Sequence, residues 1–452
     1  MPIWNTSGPP MATSVAWRGG TARRSDTATR AVMERVPRPP RARGAAIPSC
    51  ATACASHSRM RSAERLVSLL VAPAISQEAC RAAAALITAG LDWDRVLVQA
   101  TRHRVLALLE RGLVQAGLGD LPPVPFRRAL GERVQALAFN SLMLSAMAAE
   151  VCRAFATAGI AVLVLKGPAV AVGCHGSLGL RPFSDIDLLV RRGDAAAAAA
   201  LLEGLGYHPA APLRPLLDAF DAGGFSTAYP CANENAYLAH DGRVCVDLHW
   251  GLHPKCLLLP GDDAGIWARS RVITILDAEF HTLSPIDTVI HLCIHAGRDG
   301  WKCLGHICDI AAWQLAYPGI TRAAVCASAA RQRCARLVHI GFALAAQVRG
   351  ADGVAGQAAT ASADLDLATR LWRELFTTGP SAARRTLRAL ACALHLRDRP
   401  RDGLGQCLLT LRVALTRTAE GPLHGTIAMR GFFRLVSVLA NAYQHCQGWR
   451  SS

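Results

Sequence analysis

Between Ala161 and Val190 the hydrophobic pattern changes from helical to extended, and two acids stand at the mouth of the second extended run. Residues 161–165 read Ala-Val-Leu-Val-Leu, and residues 184–190 read Ser-Asp-Ile-Asp-Leu-Leu-Val. Apolar runs this short, without a polar face, are strands covered on both sides, so the chain must build a sheet between helices. Asp185 and Asp187 lie i, i+2 on such a strand, which turns both carboxylates to one side while Ile186 faces the core. Paired in this way they can grip a divalent cation. The competing reading is an Asx turn at a strand edge, and the buried run Leu188 to Val190 that follows argues against a solvated turn.

A third acid arrives later. Ala236 to His240, Asp241-Gly242 and Arg243 to His249 read as a hairpin, because Asp-Gly adopts the positive φ angles of a two-residue turn. On its second arm Val244, Val246 and Leu248 share one face and Arg243, Cys245, Asp247 and His249 the other. His249 can hold an acceptor, orient Asp247 or pack beneath Trp250. Lys166-Gly167 ends the first apolar run and precedes a short Ala/Val helix. Gly167 can bring backbone close to a phosphate and Lys166 can neutralise it, although Pro168 has no N–H to donate. The alternative is a glycine turn with a snorkelling lysine. Only three of the 49 Lys and Arg residues are lysines, Lys166, Lys255 and Lys302. A compact ammonium at this strand end is therefore unusual for the chain.

With 452 residues and 51% apolar content the chain can fill two or three cores. No stretch reads as a run of about 18 uncharged apolar residues, so no membrane span is expected. Residues 1–59 show no periodicity and no signal-peptide core, and carry nine Arg against Asp26 and Glu34. They are expected to be a disordered basic tail, with Met33 and Met60 as alternative initiators, or else a basic arm for anionic partners. The protein is expected to be cytoplasmic. The tail supplies +7 of the net charge of +16, and the diffuse remainder suits a phosphate-bearing substrate as well as nucleic acid. No base-reading motif accompanies it, so sequence-specific DNA is not expected as a partner. The sixteen cysteines contain no Cys-x-x-Cys pair and read as small buried hydrophobes.

Four regions follow: the tail (1–59), an N-terminal helical region (60–157), a sheet-bearing core (158–283) and a helical C-terminal domain (284–452). In the first helical region Val96, Leu97, Ala100, Val105, Leu106, Leu108 and Leu109 keep helical spacing, and Pro122-Pro123 break it. Helices are also expected over 286–296, 301–316, 321–348, 365–377, 381–396 and 428–446.

Taken together, Leu165-Lys166-Gly167, the run Leu180 to Val190, and Val246-Asp247-Leu248-His249-Trp250 resemble the uncharacterised nucleotidyltransferase family of the DNA polymerase β-like superfamily. The resemblance extends through His291, His295, Trp301 and Asp309. It implies an α+β fold with a small mixed β-sheet flanked by helices, and two Mg²⁺ ions, or Mn²⁺ in their place, held by Asp185, Asp187 and Asp247. Asp247 would also draw the acceptor hydroxyl toward its activating metal. The implied activity moves a nucleoside monophosphate from an NTP, ATP foremost, to an acceptor hydroxyl or phosphate on a protein, metabolite or RNA. Lys166, Gly167, Arg181 and Ser184 are the expected nucleotide-binding residues. Arg181 can equally pair with Asp185. The alternative is a catalytically inactive nucleotide- or partner-binding protein of the same fold.

Clustered carboxylates from different strands are what a two-ion phosphoryl displacement needs, so the residues agree with the resemblance. Asp185→Ala and Asp187→Ala are both expected to remove transfer and spare the fold. Lys302, His306 and Asp309 recur at i, i+4 and i+7, and His291 and His295 form an i, i+4 pair. The first stripe reads either as a wall of the acceptor pocket or as an internal hydrogen-bond network. A zinc site using the neighbouring cysteines matches no standard spacing.

Overall fold

The computed structural model describes residues 62–221, 232–254, 257, 259–260, 263–350, 362–376 and 398. The tail and the expected helices over 381–396 and 428–446 lie outside the described residues.

Five helices precede the sheet: α1 (62–70), α2 (Gln77–Thr88), α3 (Trp93–Arg102), α4 (Leu106–Gln115) and α5 (Val124–Thr157). Ser76 and Asp92 cap α2 and α3 by accepting from the N–H groups of Ala79 and Arg95, which satisfies donors the first turn leaves open. Pro123 sits at the start of α5, as the proline pair requires. By length and composition α5 could cross a membrane, which corrects the reading that no stretch is apolar enough. Its buried residues Leu144, Ala148, Val151 and Phe155 belong to the core beneath the sheet.

The sheet is α+β in character, mixed, and has seven strands. In chain order these are β1 (Val162–Val164), β2 (Ile186–Val190), β3 (Tyr207–Pro209), β4 (Glu234–Ala239), β5 (Cys245–His249), β6 (Arg271–Ile275) and β7 (Ala278–Thr282). Their spatial order is β3-β4-β5-β2-β1-β7-β6. β2 runs antiparallel to β1 and parallel to β5, with Asp187 opposite Asp247 and Leu189 opposite His249. Between strands lie α6 (Pro168–His175), α7 (Ala195–Gly204), α8 (Leu213–Asp221) and α9 (Asp263–Ala268). All five residues of β2 are buried, the expected result for a central strand with no polar run.

Two hairpins differ from expectation. The β4–β5 connection is a four-residue loop rather than a two-residue turn: Ala239 N–H bonds Val244 O, and Gly242 N–H bonds Ala239 O. Only Gly242 of the Asp-Gly pair has positive φ, at 66°, while the Asp241 carboxylate accepts from Arg243 N–H. The tight two-residue turn occurs instead at β6–β7, where Leu276 and Asp277 have φ of 51° and 60°. Leucine is a poor residue for that conformation, so the hairpin had no turn signal in the sequence, and register with its neighbours imposes it.

After the sheet come α10 (Pro285–Arg298), α11 (Leu304–Ala316), α12 (Arg322–Arg331), α13 (Ala335–Arg349) and α14 (Ser362–Leu375). The run over 321–348 is two helices, parted where Arg333 takes φ of 54°. Residues from α1 to α5 and from α10 to α14 bury into one shared cluster that includes Leu66, Leu109, Trp301, Trp313 and Leu344. A buried Leu contributes about 1.5–3 kcal/mol, so apolar packing joins these two sequence-distant sets of helices. A separate cluster lines one face of the sheet, with Ile186, Leu188, Val246 and Leu248 at its centre.

Candidate active site

The cleft between sheet and helices has a volume of about 560 Å³. The loop after β1, the segment leading into β2 and the α10–α11 connection all reach it. Lys166, Gly167, Arg181, Asp185, Asp187, Lys302, His306 and Asp309 line it together.

The loop after β1 is fixed by backbone conformation. Gly167 caps α6 with φ 50° and ψ −120°, a region reserved for glycine, and a Cβ there would stand 3.3 Å from the Phe183 ring. Phe183 O in turn accepts from Asn140 Nδ2 of α5 at 3.2 Å, so one long helix steadies the segment carrying the acids. Gly167→Ala is expected to cost about 1–3 kcal/mol of stability, measured by thermal melting; an unchanged melting temperature would show that the loop relaxes freely.

At the strand ends the charges are dense. Lys166 Nζ lies 2.9 Å from Asp187 Oδ1, and His249 Nε2 lies 3.3 Å from the same oxygen. His249 Nδ1 is 2.9 Å from Glu234 Oε2. Burial opposes ionisation of Asp187, but Lys166 and then His249 hold its carboxyl far below the usual range. Burial also disfavours a charged His249, yet Glu234 and Asp187 raise its pKa to about 10. Asp247 stands in register beside Asp187, and burial, then Asp187, pushes it up to about 6. Asp185 is raised by burial and by the like charge of Asp187; among the described residues it has no ion-pair partner within 4 Å. His249 is thus tied to Asp187 and Glu234, and its expected packing beneath Trp250 is not what fixes it.

Hard carboxylate oxygens, with Asp185 and Asp247 both raised by burial and by the charge of Asp187, fit Mg²⁺ or Mn²⁺, which take oxygen donors. At present Lys166 and His249 neutralise Asp187, so a cation there competes with Lys166 for Oδ1. Asp247 and Ser184 do not line the cleft itself, and Ser184 is exposed.

The second charge group lies deeper. Arg181 Nε bonds both oxygens of Asp309 at 3.1 and 3.0 Å, and His175 Nε2 lies 2.8 Å from Oδ1. The partner of Arg181 is therefore Asp309 and not Asp185. Burial opposes the charge on Asp309, but Arg181 and His175 hold its carboxyl well below the ordinary range. The stripe at 302, 306 and 309 divides: Lys302 precedes α11 and is exposed, His306 borders the cleft, and Asp309 is a buried network member.

A family model described as an uncharacterised nucleotidyltransferase matches residues 89–350, more than half of the chain. The chain belongs to that nucleotidyltransferase family. No curated protein and no solved structure matches it. The span shared with the nucleotidyltransferase family contains each of the site residues from Lys166 to Asp309 named from the sequence.

Several residues at the nucleotidyltransferase cleft had no recognisable sequence signal. Glu234 reaches His249 only because β4 pairs with β5, where the two residues stand opposite one another. Arg104 enters the cleft from the N-terminal helices, in a positive-φ position. It is drawn in because Gly305 N–H bonds His103 O at 3.0 Å and Leu304 N–H approaches His103 Nδ1 at 3.4 Å. His175 ends α6 and stands alone among small apolar residues, with no polar residue next to it in the chain to mark it. His295 stands i, i+4 from His291 in the sequence; the structure also sets it near Asp299 and His306, with one ligand atom from each of the three within 4.8 Å of the others. Burial lowers the pKa of His306 to about 4 and that of His295 further still.

Proposed function

We propose that the protein is a metal-dependent nucleotidyltransferase that moves a nucleoside monophosphate from an NTP to an acceptor hydroxyl or phosphate. The observation that carries this reading is the placement of Asp187 and Asp247 side by side on parallel strands, with Asp185 two residues before, beside the Lys166-Gly167 turn. Bound there by Asp185, Asp187 and Asp247, Mg²⁺ or Mn²⁺ would supply Lewis-acid stabilisation of phosphoryl charge. Lys166 holds positive charge against the same acids. Arg104 and Lys302, both exposed on the cleft, are the side chains able to meet phosphate oxygens, because Pro168 leaves the first turn of α6 one N–H short. His249, tied to Glu234, positions Asp187.

Incubation of cell extract with the protein, Mg²⁺ and isotopically labelled ATP, followed by mass spectrometry, should reveal a nucleoside monophosphate added to an acceptor. The adduct identifies the target as protein, metabolite or RNA, and parallel reactions with GTP, CTP and UTP identify the base. Absence of metal-dependent consumption with all four NTPs would overturn the reading.

One observation favours a second reading, a nucleotide- or partner-binding protein without turnover. Lys166 already neutralises Asp187 at 2.9 Å, so this acid has a counter-charge from the protein itself. NTP binding that persists in EDTA, with no turnover in Mg²⁺ or Mn²⁺, would select it.

A further inference from the structure

The last turn of α10, its cap and the first turn of α11 bring two imidazoles and a carboxylate together on the cleft wall. His295 and Asp299 are spaced i, i+4, so their side chains fall on one side of the helix end. His306 comes back toward them because the chain reverses at Gly300 and Trp301, with φ of 65° and 55°. A positive φ at a tryptophan is a strained conformation, held where surrounding packing dictates it; here the Trp301 side chain is fully buried and the residue's backbone N–H bonds Ala296 O at 2.8 Å. The His295 and His306 rings stand 4.9 Å apart between centroids. His306 Nδ1 is buried with no hydrogen-bond partner, which is costly for a polar atom unless a ligand satisfies it. All three residues line the cleft.

We propose that His295, Asp299 and His306 form a second metal site, for a divalent transition-metal ion of the Zn²⁺ or Co²⁺ kind, with its open coordination position facing the cleft. Two points of chemistry support that class. Two nitrogens and one oxygen favour borderline transition metals over Mg²⁺, which prefers oxygen. Three protein ligands leave at least one position for an outside oxygen, as in catalytic and substrate-binding sites rather than closed structural ones. The donor set shares no residue with Asp185, Asp187 and Asp247, so the site stands whether or not the protein transfers nucleotides.

Metal binding itself tests it. The full chain, stripped of metal, is titrated with Co²⁺ and followed by visible d–d absorption, alongside the Asp185→Asn/Asp187→Asn double variant, which disables the acid cluster. Both proteins should develop nitrogen-ligand bands near one equivalent of Co²⁺, and excess Mg²⁺ should not bleach them. His306→Gln and Asp299→Asn should each weaken that binding by more than about 100-fold, the upper end of what losing even an outer-shell partner costs. Asp299 is a half-exposed cap residue, so its variant should fold even if His306→Gln does not; far-UV circular dichroism checks both. Bands that survive unchanged in Asp299→Asn, or that vanish in an acid double variant whose far-UV circular dichroism is that of the wild type, would overturn the proposal.

Discussion

Asp185→Asn should reduce nucleotidyl transfer by about 10²–10³-fold while leaving the melting temperature unchanged or raised. The loss follows from removing one carboxylate of the proposed metal cluster, and its scale matches the removal of a preorganised electrostatic contact. The retained stability follows from the ion pairs: Asp185 has none among the described residues, and the like charge of Asp187 raises its pKa. Removing its charge relieves repulsion. Asp187→Asn should lose transfer equally and also destabilise the metal-free protein by about 3 kcal/mol, because Lys166 loses its buried counter-ion and the charged His249 loses one of its two, keeping Glu234. The expectation that both acids are dispensable for folding is thereby revised, since the structure gives only Asp187 a structural partner. Activity assays and thermal melts on the two variants check this. Full activity in Asp185→Asn would remove it from the site, and equal melting temperatures would discard the difference drawn between the acids.

Asp309→Asn should lower stability by about 3 kcal/mol, since it leaves the Arg181 guanidinium in the cleft wall without a counter-charge. The amide still offers one acceptor oxygen, so the low end of the range for a broken buried pair applies. The linkage has a definite sign. The folded-state pKa of Asp309 lies below its unfolded value, so its contribution is complete above about pH 3.8 and is lost as the pH falls toward the folded pKa. Wild-type protein should therefore lose stability steeply below pH 4, and the variant less steeply over the same window. Urea melts across pH 2.5–7 measure both slopes. Parallel slopes would show that Arg181 and His175 do not bias the acid's ionisation. The variant's kinetics should change little while it remains folded, because the carboxylate is consumed by bonds to Arg181 and His175. A large rise in KM with no loss of stability would return Asp309 to the pocket wall.

The strands expected over 161–165 and 185–190, which the fold trims to 162–164 and 186–190, the common side of Asp185 and Asp187, and the face shared by Asp247 and His249 were legible from the chain alone. These follow from local rules: an apolar run too short for a helix must be a strand, and side chains alternate along it. The family resemblance was also legible, because its motifs are contiguous segments. Tertiary structure alone decided which charges meet. The pairing of β2 with β5 sets Asp187 beside Asp247, and the pairing of β4 with β5 brings Glu234 to His249. The fold of α11 against α6 joins Asp309 to His175 across 134 residues. No periodicity encodes such contacts, because strand order and helix docking depend on the total apolar area buried, to which each residue adds only a small share. The turn at Leu276-Asp277 shows the same limit from the other side, where sheet pairing imposes a backbone conformation that its own residues disfavour.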